Sequence, residues 1–139
     1  MGNLARKMNL SFNGLMHNGP QTMKLTINKM TVYVPGKDFE EAKRFYNALG
    51  FELVEGWNGN YDCSLGAARF RLQKYFVEDW ANNFMMQFWV DDVDAWYEHA
   101  NQVITEGKFD ARTKAPEIID GTKVCHVIDP SGVLLIFLD

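Results

Sequence analysis

Asp38-Phe39-Glu40-Glu41-Ala42-Lys43-Arg44-Phe45-Tyr46-Asn47-Ala48-Leu49-Gly50-Phe51 reads as one capped helix running into a strand. Asp38 is a helix-capping residue, and Glu41 three residues later makes a capping-box-like pair with it. Phe39, Ala42, Phe45, Tyr46 and Leu49 recur at helical spacing and form a single apolar face. Gly50 follows where a left-handed C-cap favours a residue without a Cβ. Upstream, Leu25–Val34 is rich in β-formers and alternates, which predicts a strand that Pro35-Gly36 ends. Downstream, three short strands are expected at Phe51–Glu55, Tyr61–Leu65 and Arg69–Tyr75. Asn58-Gly59-Asn60 and Gly66 supply the turns between them.

The same order then recurs. Phe84–Val90 reads as a strand, Asp91 or Asp92 as a cap, and Val93, Trp96, Tyr97, Ala100 and Val103 as one helical face. Strands are expected within Ala111–Ile118, at Thr122–Ile128 and at Val133–Leu138. Asp129-Pro130-Ser131-Gly132 suits a type I turn between the last two. The pattern is β-α-β-β-β twice, with no linker, and such internal repetition is itself evidence of organisation. The aromatic and acidic stretch Tyr75–Phe84 joins the halves.

A chain of 139 residues fits one domain, here residues 23–139, with module one at 25–76 and module two at 83–138. Residues 1–22 lack a clear period and carry Asn13-Gly14 and Asn18-Gly19-Pro20, so a flexible N-terminal extension is expected, with a short strand around Leu10–Leu15 as the alternative. The formal net charge of -4 and scattered Lys and Arg provide no basic stripe, which argues against a nucleic-acid partner. No apolar run approaches the roughly 20 residues of a membrane span, and the leader is too polar for a signal peptide. A cytoplasmic location without membrane contact is the expectation, with Cys63 and Cys125 as reduced core thiols.

Strand, helix, Phe45-Tyr46 and then Leu49-Gly50-Phe51 resembles the opening of the vicinal-oxygen-chelate superfamily, the glyoxalase, bleomycin-resistance and dioxygenase group. Val90-Asp91-Asp92-Val93-Asp94-Ala95 resembles that family's second strand-to-helix junction, and Asp129-Pro130-Ser131-Gly132 its last hairpin. The resemblance covers about residues 25–138 and rests on all three motifs in order. It implies an α+β fold in which two βαβββ modules form curved mixed sheets around a cleft. It also implies a homodimer, often with each cleft built from both chains.

The family's metalloenzymes hold one divalent ion with His or Glu from four strands, leaving positions open for two substrate oxygens. Carried over residue by residue, those positions fall on Lys29, on Arg71 or Gln73, on Met85 and on Ile136. Ammonium, thioether and alkyl groups do not hold a hard cation. Neither a metal nor any other cofactor is therefore expected. His99 stands at a position suited to solvent, and His126 reads as a hydrogen-bonded strand residue.

Strand alternation puts Lys29, Thr31 and Tyr33, then Met85, Gln87 and Trp89, on the cleft face, with Leu134 and Ile136 beside them. Thr31, Tyr33, Arg71, Gln73, Gln87 and Trp89 are expected to converge on one cavity, with Trp57 and Tyr61 placed to cap it. Phe84, Phe88 and Trp96 read as core. The ligand-binding set is Thr31, Tyr33, Trp57, Arg71, Gln73, Gln87, Trp89 and Ile136, around an apolar or aromatic small molecule. The function so implied is a non-catalytic binding protein of the bleomycin-resistance kind. The alternative is a glyoxalase-type lyase, isomerase or dioxygenase with non-standard ligands such as Glu55, Asp62, Glu117 or His126.

Overall fold

A computed structural model describes residues 25–139. The expected extension over residues 1–22, the alternative strand at Leu10–Leu15 and the domain start at residue 23 lie outside them. The chain divides into two units, 1–30 and 31–139. Of the first, residues 25–30 are described; they are exposed and carry neither helix nor strand.

The second unit contains two βαβββ modules. The first comprises β1 (Tyr33–Pro35), α1 (Phe39–Leu49), β2 (Glu52–Glu55), β3 (Tyr61–Leu65) and β4 (Ala68–Gln73), with a 3₁₀ turn at Trp57–Gly59. A short helix α2 (Glu78–Asn82) leads into β5 (Met85–Trp89), α3 (Val93–Gly107), β6 (Arg112–Ile119), β7 (Thr122–Ile128) and β8 (Leu134–Leu138). The sheets run β1-β4-β3-β2 and β5-β8-β7-β6. In each, the first strand pairs in parallel with the last, and the other pairs are antiparallel.

Local chemistry explains the boundaries. Asp38 Oδ1 accepts the Glu41 N–H at 3.1 Å, and Gly50 closes α1 at φ 118°. Only half of the expected capping box forms, because the Glu41 carboxylate instead receives the Asp110 N–H at 3.5 Å. Of the two candidate caps for α3, the structure uses Asp92, which accepts the Ala95 N–H at 3.0 Å. A side chain at Gly107 would enter the ring of Phe109, which packs edge-on against Phe45 at 5.3 Å.

Two expectations need correction here. The strand expected over Leu25–Val34 is ordered as a strand only at Tyr33–Pro35. Its register begins at Tyr33 opposite Arg71, and before it the Val32 carbonyl still accepts the Arg71 N–H at 2.8 Å without extending the strand. His99 is not a solvent residue, because its Nε2 lies 2.9 Å from the Leu49 carbonyl and ties α3 to the end of α1.

The modules share one core. Phe45, Tyr46, Leu72, Val93, Val127 and Leu135 are fully buried within it, and Phe51 meets Phe88 across the junction at 6.1 Å. A buried polar link joins the halves. Tyr46 Oη donates to Asp129 Oδ2 at 2.6 Å, while Asp129 Oδ1 accepts the N–H groups of Ser131 and Val133 at 2.8 and 2.9 Å. Burial pushes the Asp129 carboxyl up to about 6. Cys63 and Cys125 are free and buried, and desolvation pushes their thiols up to about 12 and about 11.

Candidate functional site

Side chains of directly paired residues share a face. On the first sheet, Tyr33, Arg71 and Asp62 therefore lie in one row. Arg71 donates from Nε to Asp62 Oδ1 at 2.7 Å, from Nη2 to Asp62 Oδ2 at 3.3 Å, and from Nη1 to Tyr33 Oη at 3.1 Å. A two-toothed carboxylate contact fixes the guanidinium plane as well as its position. These bonds, the one to Asp62 first, raise the Arg71 pKa further, so the cation is permanent. Gln73 lies two residues along β4, on the same face and opposite Pro35. Thr31 stands two residues before β1 and is exposed; Trp57, on the turn between β2 and β3, is 71% exposed.

The second sheet presents a different chemistry. Gln87, Ile136 and His126 form one row, and Trp89, Leu138 and Val124 the next. Met85 and Trp89 are 58% and 68% exposed, a large apolar surface on one short strand. Beside β5 runs a groove of about 680 Å³. Phe51, Phe70, Phe88, Trp96 and Phe137 line it, the β3–β4 turn forms one wall, and Gln87 and Trp89 stand along the strand that forms the other. Phe84, Phe88 and Trp96, read from sequence as core, line this groove while Trp96 also stacks on Phe137 at 4.8 Å.

Within one chain the expected residues thus come together in two groups rather than in one cavity. Tyr33 and Arg71 are hydrogen-bonded, with Gln73 beside them; Gln87, Ile136 and Trp89 share the other sheet. Thr31 and Trp57 join neither group by any contact found among the described residues. Two features escaped the sequence reading: Asp62 as the partner that orients Arg71, and the groove along β5. The first was legible as an acid nine residues from a base in a predicted hairpin; the second arises only when the modules pack.

The divalent ion that the family resemblance implies needs His, Cys, Asp or Glu donors gathered around one point. Among the described residues, no cluster of three or more His, Cys, Asp or Glu is placed to hold one. The carboxylate nearest the candidate row, Asp62, is engaged by Arg71, and His126 is flanked by Ile136 and Lys114. These residues do not fit the ion, and no step through it follows.

Two βαβββ modules with this strand order match the glyoxalase/bleomycin-resistance fold. Solved structures bear this out. A bleomycin-binding protein complexed with bleomycin aligns with a TM-score of 0.65 at 23% identity, over 81% of this chain and 98% of that one. The bleomycin-binding protein of the bleomycin producer Streptomyces verticillus aligns with a TM-score of 0.65 at 18% identity, over 82% and 97%. A glyoxalase/bleomycin resistance protein from a Streptomyces species aligns with a TM-score of 0.61 at 21% identity, over 78% and 97%. No protein-family model and no curated protein matches the chain. No helix among the described residues is long and apolar enough to cross a membrane.

Proposed function

We propose that this chain is a cytoplasmic, non-catalytic binding protein that holds an apolar or aromatic small molecule in a metal-free cleft, and that a second copy of the chain completes the cleft. The observation that carries this reading is the division of the expected site into two unlike halves on separate sheets. The Tyr33–Arg71–Asp62 row offers fixed hydrogen-bond donors, and the Met85–Trp89 strand offers exposed apolar area. Ligand pockets combine a mostly apolar lining with a few placed polar groups, and each half here has one of these without the other. A homodimer that opposes the first sheet of one copy to the second sheet of its partner supplies both. The ligands of the structural neighbours support the same reading, because two of them are bleomycin-binding proteins.

The test is direct. Bleomycin is titrated into the protein while tryptophan emission is followed, and native mass spectrometry of protein taken from cell extract is read for stoichiometry, metal and retained small molecules. The expected result is a metal-free dimer that binds bleomycin or retains an organic ligand, with Trp89 emission responding. One tightly held divalent ion per chain, or turnover that needs such an ion, would overturn the reading in favour of the enzyme.

A further inference from the structure

Away from Met85 and Trp89, the open face of the second sheet changes character. Its register continues the Gln87–Ile136–His126 row onto Lys114 of β6, and sets Leu134, Ile128 and Arg112 in the row beside it. Directly paired residues share a face. Helix α3 packs on the other face, where Cys125, Val127, Leu135 and Phe137 are buried. On the open face Ile128, Leu134 and Ile136 are half-buried, and Arg112 and Lys114 stand exposed beyond them. An apolar floor thus ends in a cationic margin, in a chain whose formal net charge is -4.

An irregularity builds this margin. In a regular strand, residues three apart point to opposite faces. The register of β6 shifts between Lys114 and Glu117, which sets Glu117 opposite Val124 and on the same face as Lys114. Lys114 Nζ lies 3.0 Å from Glu117 Oε1. An ammonium has three donors, so two remain for another acceptor. The pair is also exposed, and such a pair yields readily to a competing acceptor. Arg112 has no carboxylate within ion-pair distance among the described residues. The hydrogen bond expected of the His126 ring is not made among them either.

We infer that the second sheet binds an organic acid, whose apolar or aromatic body lies on Ile128, Leu134 and Ile136 and whose carboxylate is taken by Arg112, Lys114 and His126. The inference rests on the proposed cleft and adds the charge of its ligand. The charge balance sets the sign: two cations face the single carboxylate of Glu117, and an added anion matches the surplus. Arg71 on the first sheet offers no such surplus, because Asp62 already neutralises it. Geometry sets the size. Ile136 and Lys114 are two strand spacings apart, about 10 Å, which suits two fused rings with a short acidic arm. Arg112 and Lys114 stand two residues apart on one strand, so their long side chains can meet on one oxyanion. His126 lies between floor and margin, and its neutral ring keeps one N–H to donate.

Probes that share one body and differ in charge test it. Naphthylacetate, its neutral amide and naphthylethylammonium are each titrated into the protein by calorimetry. The acid is expected to bind about tenfold more tightly than the amide, with the ammonium weakest. Arg112→Gln combined with Lys114→Gln is expected to erase the difference between acid and amide while leaving the amide's affinity in place. Arg112→Glu combined with Lys114→Glu is expected to invert the order in favour of the ammonium. Thermal melting checks that each variant is folded, and either single glutamine change is expected to remove part of the preference, which keeps the test should a pair unfold. Equal affinity for acid and amide, both weakened by Trp89→Ala, overturns the organic acid and leaves the apolar cleft standing. A preference for the acid that survives the glutamine pair and is lost in Arg71→Gln puts the carboxylate on the first sheet and also overturns the inference. Failure of all three probes to bind sinks the cleft and the inference together.

Discussion

The two sheet faces are built on the same βαβββ plan and end in opposite chemistries. On the first sheet, one cation is held by a carboxylate and a phenol, and the Arg71 side chain is only 14% exposed. On the second, at the corresponding first strand, Met85 and Trp89 stand in the open with no ring partner of their own among the described residues. A polar group near a binding face needs fixed partners, since an unpaired buried donor costs about 1–3 kcal/mol. An aromatic ring needs none, because its contribution is the apolar area that it removes from water on contact. Duplication of a module therefore allows its two copies to divide a site between orientation and adhesion.

The largest expected effect comes from disconnecting the modules that carry the two faces. Asp129→Ala leaves the Tyr46 hydroxyl and the N–H groups of Ser131 and Val133 without their acceptor, and a loss of roughly 2–4 kcal/mol in urea unfolding is expected. Two separate unfolding transitions in the variant would mean that the faces belong to independent units. The same residue gives a pH signature. Its folded carboxyl lies at about 6, above the ordinary 3.8, so the folded chain holds a proton that the unfolded chain has released. The stability this group contributes is complete below about pH 4 and lost as pH rises through about 6. Asp129→Asn is expected to remove that slope; an unchanged slope would show that another group carries it.

Binding separates the faces more finely. Trp89→Ala is expected to weaken ligand binding on the order of tenfold to a hundredfold, as anchors of buried interfaces do. Stability should move by no more than about 0.5 kcal/mol, because the ring is exposed in the chain. Arg71→Ala should cost less affinity and slightly more stability, since Tyr33 and Asp62 lose their partner. The reverse order would make the polar face the anchor and break the comparison. Calorimetry and thermal melting on the two variants decide it.

The smallest effect sharpens the role of preorganisation. Asp62 is 48% exposed at its side chain, so Asp62→Asn is expected to cost under about 1 kcal/mol of stability. Affinity should still fall a few-fold, because Arg71 would no longer be held in one plane. An unaltered affinity would show that Tyr33 alone suffices.

Local chemistry made most of the fold legible. Asp38, Gly50, Asp92 and the Asp129–Gly132 turn each fix a boundary through a bond that spans a few residues, and the β-α-β-β-β repeat follows from them. The sequence could not show pairings between distant residues. Tyr46 and Asp129 are 83 residues apart and His99 and Leu49 are 50 apart, and only the packed core makes them neighbours. The length of β1 was overestimated because Leu25–Val32 has the composition of a strand, whereas a strand is defined by pairing, which the structure shows with β4 only from Tyr33 onward. The candidate site was legible as faces, because alternation is local, and not as one cavity, because convergence depends on how the sheets are arranged.

The two thiols provide a built-in clock for how the chain breathes. Cys63 sits in β3 of the first module and Cys125 in β7 of the second, each fully covered and each with a protonated sulfur at neutral pH. A thiol must be both uncovered and ionised to react, so a slow alkylating reagent labels each one only when its own strand opens. Equal labelling rates mean that the halves open together. Unequal rates rank the modules by how often each visits an open state, in the native protein and without denaturant.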